Sequence, residues 1–171
     1  MTRPDFEIAM KKGNAGEDIV KAVFEREGWI IYRPETAGAH HFDMMAIKNK
    51  KTAIAVDVKT KARMNFFPAT GVNQIHFEEY ERFSKKHQMP FWIIFVDERL
   101  KKIYGNTISE LEKRRLVDGN AYPMVKNFKG TAVRLWPLAA MKDIARIDDN
   151  TADVLTSYSQ RNYGYESEGW S

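Results

Sequence analysis

Three charged residues near the start of the chain have the types and the spacing to bind a divalent metal ion. Asp57 and Lys59 lie in the β-prone run 52–61, and Asp43 stands fourteen positions before Asp57 in another β-prone run. Because side chains alternate along a strand, Asp57 and Lys59 share one face, about 6.5–7 Å apart. If a tight hairpin joins the two strands, Asp43 and Asp57 can converge on one metal ion.

Such an arrangement suits the hydrolysis of a phosphodiester bond. Carboxylates are hard oxygen ligands that hold Mg²⁺ and leave coordination positions for water and a phosphate oxygen. The metal makes its bound water more acidic and polarises the phosphate, and a lysine ammonium can orient the water and stabilise the transition state. The alternative is a surface hairpin on which Asp57 and Lys59 form an exposed ion pair that contributes little.

Hydrophobic periodicity predicts the elements that must position these residues. The predicted helices cover residues 14–28, 74–87 and 107–116, with a short helix after Pro137, and the predicted strands cover 29–33, 42–48, 52–61, 91–96 and 130–135. The almost continuous apolar run 91–96 is typical of a strand buried on both faces. The order αβββαβ predicts an α/β fold with a mixed central sheet flanked by helices on both faces.

Charge divides the chain into two parts. The whole chain has a formal net charge of +4, and residues 148–171 contain five acids and one base, which leaves +8 on residues 1–147. A basic body suits a polyanionic partner such as DNA, although such a charge also serves solubility. We expect a domain over 1–147 and an acidic, aromatic-containing tail over 148–171 that is flexible or becomes ordered only by docking onto a partner.

The composition limits the class of protein further. The chain has no cysteine, which excludes disulfides and cysteine-based zinc sites. No apolar run approaches the roughly 20 residues that span a bilayer, and residues 1–12 lack the apolar core of a secretion signal. We therefore expect a cytoplasmic protein that does not enter the membrane.

The stretch 11–63 resembles the PD-(D/E)xK nuclease superfamily, and within it the archaeal-type Holliday junction resolvases and related phage nucleases. It has a glycine before a helical Glu17, a Gly-aromatic entry into the first strand, a loop, Asp43, a hairpin and then Asp57-Val58-Lys59. By position, the resemblance implies that Asp43 and Asp57 bind the metal and that Lys59 positions the water. It makes Glu17 an additional ligand, direct or through water, and implies the restriction-endonuclease-like core αβββαβ.

Two residues depart from the motif of that superfamily. Phe42 stands where the motif has proline, and Asp57 stands where glutamate is commoner. Aspartate is one methylene shorter than glutamate, which leaves the choice between Mg²⁺ and Mn²⁺ open. Glu17 also has a simpler interpretation, because the helix dipole favours an acid in the first turn and Asp18 would serve equally well.

Several neighbouring residues could assist such a site. Gln74 begins the second predicted helix, where several branches of the superfamily use a glutamine, although it could equally be a solvated helix-start residue. His41 and the adjacent His40 lie in the loop before Phe42 and could contact substrate. The candidate DNA-binding residues, which could instead be solvated charges, are Lys48, Lys50, Lys51, Lys61 and Arg63. The pair Phe66 and Phe67 could stack on bases or pack against the second helix.

These observations predict a Mg²⁺- or Mn²⁺-dependent DNA endonuclease that works as a homodimer. A branched DNA junction is the first expected substrate, and sequence-specific cleavage of duplex DNA by a restriction or homing-type enzyme is the alternative. A third possibility is a nucleic-acid-binding or assembly protein on a nuclease fold that does not cut. The presence of the whole set Glu17, Asp43, Asp57 and Lys59 favours an enzyme.

Overall fold

Helices and strands are assigned in a computed structural model that describes residues 3–35, 40–65, 68–117, 120–127 and 130–162. The α-helices are α1 (Arg3–Arg26), α2 (Gln74–His87), α3 (Ile108–Lys113) and α4 (Asp149–Asn162), and Leu138–Ala140 forms a 3₁₀ turn. The strands are β1 (Ile30–Tyr32), β2 (Met44–Lys48), β3 (Thr52–Thr60), β4 (Ala69–Asn73), β5 (Phe91–Asp97), β6 (Lys102–Thr107), β7 (Leu116–Val117), β8 (Asn120–Ala121), β9 (Met124–Lys126), β10 (Ala132–Pro137) and β11 (Lys142–Arg146).

The central sheet has the strand order β1-β2-β3-β5-β6-β11. Strands β3 and β5 are parallel and the other neighbours are antiparallel, so the sheet is mixed. The predicted hairpin between β2 and β3 is present, with its turn at Asn49 and Lys50. Both residues have positive φ (55° and 56°), and with Lys51 they form the three-residue loop between the paired residues Lys48 and Thr52.

Alternation along β3 sends its side chains into two separate cores. Ile54, Val56 and Val58 belong to the core beneath α1 and α4. Ala55 belongs to the core on the opposite face, beneath α2 and α3. Helices therefore cover both faces of a mixed sheet, and the predicted fold class is confirmed. The same alternation places Asp57 and Lys59 on the face that α2 covers.

The periodicity does not predict β4, β6 or β11, and β6 shows why. It contains Gly105 and Asn106, which are poor strand formers, yet both are buried. A Cβ on Gly105 would lie 2.3 Å from the carbonyl oxygen of Ile93, and Asn106 donates a hydrogen bond to the carbonyl of Ala140 at 2.9 Å. The need for glycine and asparagine at these two positions comes from residues distant in sequence. It produces no alternating hydrophobic pattern within β6 itself. Strands β4, β10 and β9 form a second, antiparallel sheet.

The expectation of a flexible segment from residue 148 onward is wrong for α4. Ala152 and Leu155 of this helix are buried in one core with Val20 of α1. These two residues are three positions apart, so they lie on the same side of the helix and pack it against the core. The predicted aromatic tail beyond residue 162 lies outside the described residues, and the division at residue 147 stays a prediction. In the described residues, no helix combines the length and hydrophobicity that a membrane span requires.

Candidate active site

The hairpin of β2 and β3 positions the two predicted metal ligands. Met44 pairs with Val56, and just before it the backbone N–H of Asp43 donates to the carbonyl of Val56 at 2.9 Å. The side chain of Asp43 crosses to the same strand, where its Oδ2 accepts a hydrogen bond from the Val58 N–H at 2.6 Å. Asp43 is thereby fixed to the residue between Asp57 and Lys59.

Asp57 and Lys59 form an ion pair at the end of β3. Asp57 is only 5% exposed, and its Oδ2 lies 2.7 Å from Lys59 Nζ. This oxygen nevertheless accepts no well-aligned hydrogen bond from the part of the chain that the structure describes. The burial of Asp57 excludes the exposed surface pair as an interpretation. A buried carboxylate oxygen with spare acceptor capacity is suited to bind a cation.

The electrostatics of Asp43 favour the same conclusion. Burial, followed by the negative charge of Asp57, raises the pKa of the Asp43 carboxyl from 3.8 to about 7. The Val58 N–H and the Lys59 ammonium act in the opposite direction without cancelling the effect. The buried Asp57 and the partly buried Asp43 therefore compete for positive charge, and their hard oxygen atoms fit Mg²⁺ or Mn²⁺.

Glu17 lies at the margin of this site. Gly16 allows α1 to approach the end of β3 so closely that a Cβ at that position would lie 1.8 Å from Thr60 Oγ1. The charge of Glu17 contributes to the raised pKa of Asp43, so the two acids are neighbours. Glu17 Oε2, however, is ion-paired with the guanidinium of Arg33 at 2.5 Å.

The structure thus brings Asp43, Asp57 and Lys59 together, with Glu17 close by but paired. Among the described residues, no three carboxylate, imidazole or thiol groups stand close enough together to hold a metal ion jointly. A metal at this site would depend on Asp43 and Asp57, with water and substrate completing its coordination.

The two accessory candidates are engaged in other contacts. Gln74 accepts a hydrogen bond from Arg134 Nε at 2.9 Å and donates one to Glu78 at 2.8 Å. The exposed ring of His41 lies beside Phe83 of α2, with centroids 6.3 Å apart. In these contacts neither side chain directs a polar group toward Asp43 or Asp57. The accessory roles of Gln74 and His41 therefore stay predictions.

The predicted DNA-binding residues fall at opposite ends of β3. Lys48, Lys50 and Lys51 lie at the hairpin turn, about 16 Å along the strand from Asp57. Lys61 lies just beyond the end of β3 near the site, where its Nζ donates to the carbonyl of Gly71. Burial, followed by the charge of Lys59, lowers the pKa of Lys61 to about 8.

The remaining basic and aromatic candidates follow Lys61. The backbone N–H of Arg63 donates to the Asp97 carboxylate at 2.8 Å, which places Arg63 at the site end of the sheet. Phe66 and Phe67 lie outside the described residues. Of the predicted basic residues, only Lys61 and Arg63 lie at the end of β3 that carries Asp57 and Lys59.

Sequence reasoning missed two residues that contact the site. Arg33 follows β1, and because β1 is antiparallel to β2 its end lies beside the start of β2, next to Asp43. Tyr80 lies within the apolar stripe of α2, which by itself indicates only a core position. A basic residue directly after the first strand was an available signal for Arg33. No sequence signal distinguishes Tyr80 from a core aromatic residue.

The solved structures that are similar to this chain include a resolvase and a viral nuclease. A Holliday junction resolvase from the archaeal hyperthermophile Archaeoglobus fulgidus gives a TM-score of 0.48 at 14% identity, over 83% of this chain and 93% of that chain. A nuclease from a fusselovirus gives a TM-score of 0.45 at 12% identity, over 85% of this chain and 89% of that chain. No protein-family model matches the chain, and no curated protein matches it in sequence. The resemblance expected from the sequence is to this same class of proteins.

Proposed function

We propose that this chain is a metal-dependent endonuclease that hydrolyses phosphodiester bonds in DNA. The observation that carries the proposal is the convergence of Asp43, the buried Asp57 and Lys59 at one end of the sheet. Burying one carboxylate beside a second, partly buried one is costly, and the cost is characteristic of sites where charge serves chemistry. Two hard oxygen ligands beside an ammonium are the groups that phosphodiester hydrolysis requires.

Each residue has a distinct role in this proposal. Asp43 and Asp57 would hold Mg²⁺ or Mn²⁺, which when bound lowers the pKa of water and stabilises negative charge on the phosphate. Lys59 presents its ammonium beside them to orient the attacking water and to neutralise charge on the phosphate oxygens. Glu17 acts from the margin, through water or after release from Arg33. The hydrogen bond from Val58 keeps Asp43 in place.

We propose a branched junction as the first substrate, on the strength of the resolvase-like motif in residues 11–63. Duplex DNA is the alternative substrate. Either substrate requires two cuts in strands related by symmetry, so we expect a homodimer with two sites. Light scattering on the purified protein, alone and with DNA, measures that state directly.

The test compares wild type with Asp57→Ala and Lys59→Ala on labelled four-way junction and linear duplex DNA, each with Mg²⁺, Mn²⁺ or EDTA. The matched controls are Asp143→Ala and Lys113→Ala, which remove charges of the same sign from exposed ion pairs. We expect metal-dependent cutting that both site variants lose and both controls keep. The preferred DNA then identifies the substrate class.

A second candidate, DNA binding without cleavage, is favoured by one observation. Arg33 holds Glu17 in an ion pair, which leaves two carboxylates to bind a metal. If the wild-type protein binds DNA tightly but cuts neither DNA with any metal, the enzymatic proposal is wrong and this candidate replaces it.

A further inference from the structure

The turn that follows β5 is held in place by one buried carboxylate. Asp97 is 0% exposed, and its Oδ1 accepts hydrogen bonds from the backbone N–H groups of Arg99 at 3.0 Å and Leu100 at 2.8 Å. Its Oδ2 accepts from the backbone N–H of Arg63 at 2.8 Å and from the Tyr104 hydroxyl at 2.9 Å. The same side chain therefore fixes this turn to the segment that leaves β3.

This turn lies beyond the candidate active site, at the same edge of the sheet. Strands β3 and β5 are parallel, and Ile93 of β5 lies beside Asp57 of β3. Asp97 follows Ile93 by four residues, which places the turn about 13 Å along the strands from Asp57. In open α/β sheets, ligands bind outside the carboxyl ends of parallel strands. DNA bound at the candidate site would therefore continue across this turn.

Arg99 carries the positive charge of this turn. Its side chain is exposed, and its guanidinium donates a hydrogen bond to the side-chain oxygen of Asn65. Asn65 is neutral, so this bond does not compensate the charge. The acid next to Arg99 in sequence, Glu98, is 8% exposed and forms an ion pair with Lys12 of α1 at 2.6 Å. The turn thus presents a guanidinium to solvent while its own acids are buried and bound elsewhere.

We propose that Arg99 binds a backbone phosphate of DNA next to the phosphate that is cut. The inference rests on the proposed function, and it extends the DNA-contacting surface from β3 to the turn after β5. The planar fork of a guanidinium fits two phosphate oxygens. Asp97 holds the turn in the bound position before DNA arrives, and the same carboxylate fixes the backbone of Arg63, so two basic residues meet at this edge.

The experiment measures DNA binding in EDTA, where metal-dependent cutting is prevented, by fluorescence anisotropy on four-way junction and duplex DNA over a range of salt concentrations. Arg99→Gln removes the charge and keeps an N–H donor for Asn65, and Arg99→Lys keeps the charge. The control is Lys142→Gln, which removes an exposed cation that lies over the ring of Trp92, at the opposite end of β5. Thermal melts verify that each variant is folded.

We expect Arg99→Gln to weaken binding by roughly 5–10-fold at about 0.1 M salt and to reduce the slope of log K against log salt by about 0.9, because one phosphate contact is lost. Arg99→Lys and Lys142→Gln should keep the slope of wild type. Both DNA forms should show the same change in slope, since the contact is to the backbone and not to a base.

The possible results separate this inference from the proposed function. If Arg99→Gln keeps the slope of wild type, Arg99 only holds Asn65 and this inference alone is wrong. It is also wrong if Arg99→Lys or Lys142→Gln reduces the slope as much as Arg99→Gln. If the slopes change as expected but wild type cuts neither DNA with any metal, the cleavage proposal fails and the inference stands. If wild type binds neither DNA, both are overturned.

Discussion

Asp43 Oδ2 accepts a hydrogen bond at 2.6 Å from the backbone N–H of Val58, the residue that separates Asp57 from Lys59. A side chain from the start of β2 is thereby fixed to the backbone of β3 at the site itself. The two acids cannot separate without breaking that bond. Burial, followed by the negative charge of Asp57, raises the pKa of Asp43. Holding two carboxylates together disfavours the folded state unless a proton or a cation neutralises one of them.

The first prediction concerns the pH dependence of stability without metal. The pKa of Asp43 is about 7 in the folded protein and ordinarily 3.8. Stability should therefore fall as the pH rises from about 4 to about 7, where the unfolded chain has lost the proton that the folded chain retains. Asp43→Asn keeps an acceptor for Val58 but removes this titration. We expect it to stabilise the protein at pH 8, by up to about 4 kcal/mol, and to have little effect near pH 4.

Thermal melts in EDTA across that pH range measure the difference between the two proteins. Asp143→Asn, which changes an exposed acid paired with Lys102, is the control and should show no comparable trend. Saturating Mn²⁺ should stabilise wild type more than Asp43→Asn, because the metal binds the folded state. A stability difference that does not vary with pH would contradict this account of Asp43.

The second prediction tests the approach of α1 to β3. Gly16→Ala would place a Cβ 1.8 Å from Thr60 Oγ1 and 2.9 Å from Thr60 Cβ. Rotating the threonine relieves the first contact but not the second, so the helix must shift. We expect a loss of about 1–3 kcal/mol in the free energy of unfolding, with reduced cleavage because Glu17 moves with the helix. Urea denaturation and the junction-cutting assay measure the two effects.

Gly13 provides the control in the same helix. A Cβ on Gly13 meets nothing within 4 Å, so Gly13→Ala should stabilise the protein by about 0.5–1 kcal/mol through helix propensity. Equal effects of Gly13→Ala and Gly16→Ala would show that α1 does not need a glycine where it crosses β3.

The sequence predicts β3 well because successive side chains of a strand point to opposite faces of the sheet, and in β3 each face packs on its own core. Ile54, Val56 and Val58 show that alternation directly, and it places Asp57 and Lys59 on the opposite face. The contacts of Arg33 with Glu17 and of the Tyr80 ring with Lys59 are not predictable in this way. Each joins elements distant in sequence, and the geometry that unites them is set by how helices cross the sheet. Strand β6 was not predicted for the same reason, because Gly105 and Asn106 are required by contacts with residues distant in sequence.

The third prediction concerns α4, which the sequence suggested would be flexible. Leu155 is 1% exposed in the core with Val20, whereas the adjacent Val154 is 44% exposed. Leu155→Ala should cost about 2–4 kcal/mol because it leaves a cavity in the core that α4 shares with α1. Val154→Ala should change stability by less than about 0.5 kcal/mol. If both substitutions prove neutral in urea denaturation, α4 is not part of the folded core.

The final prediction separates the two acids that contact Arg33. Its guanidinium lies 2.5 Å from Glu17 Oε2 and 2.5 Å from Asp18 Oδ1, but the Glu17 side chain is 20% exposed and the Asp18 side chain 69%. Solvent screens the exposed pair more strongly, so we expect a coupling free energy of about 1 kcal/mol with Glu17 and a few tenths with Asp18.

Double-mutant cycles that combine Arg33→Ala with Glu17→Gln or with Asp18→Asn measure both values by urea denaturation. Added salt should reduce the Asp18 coupling further and leave most of the Glu17 coupling. A larger coupling to Asp18 would mean that Arg33 serves the surface of α1, and Glu17 would then be free to face Asp43.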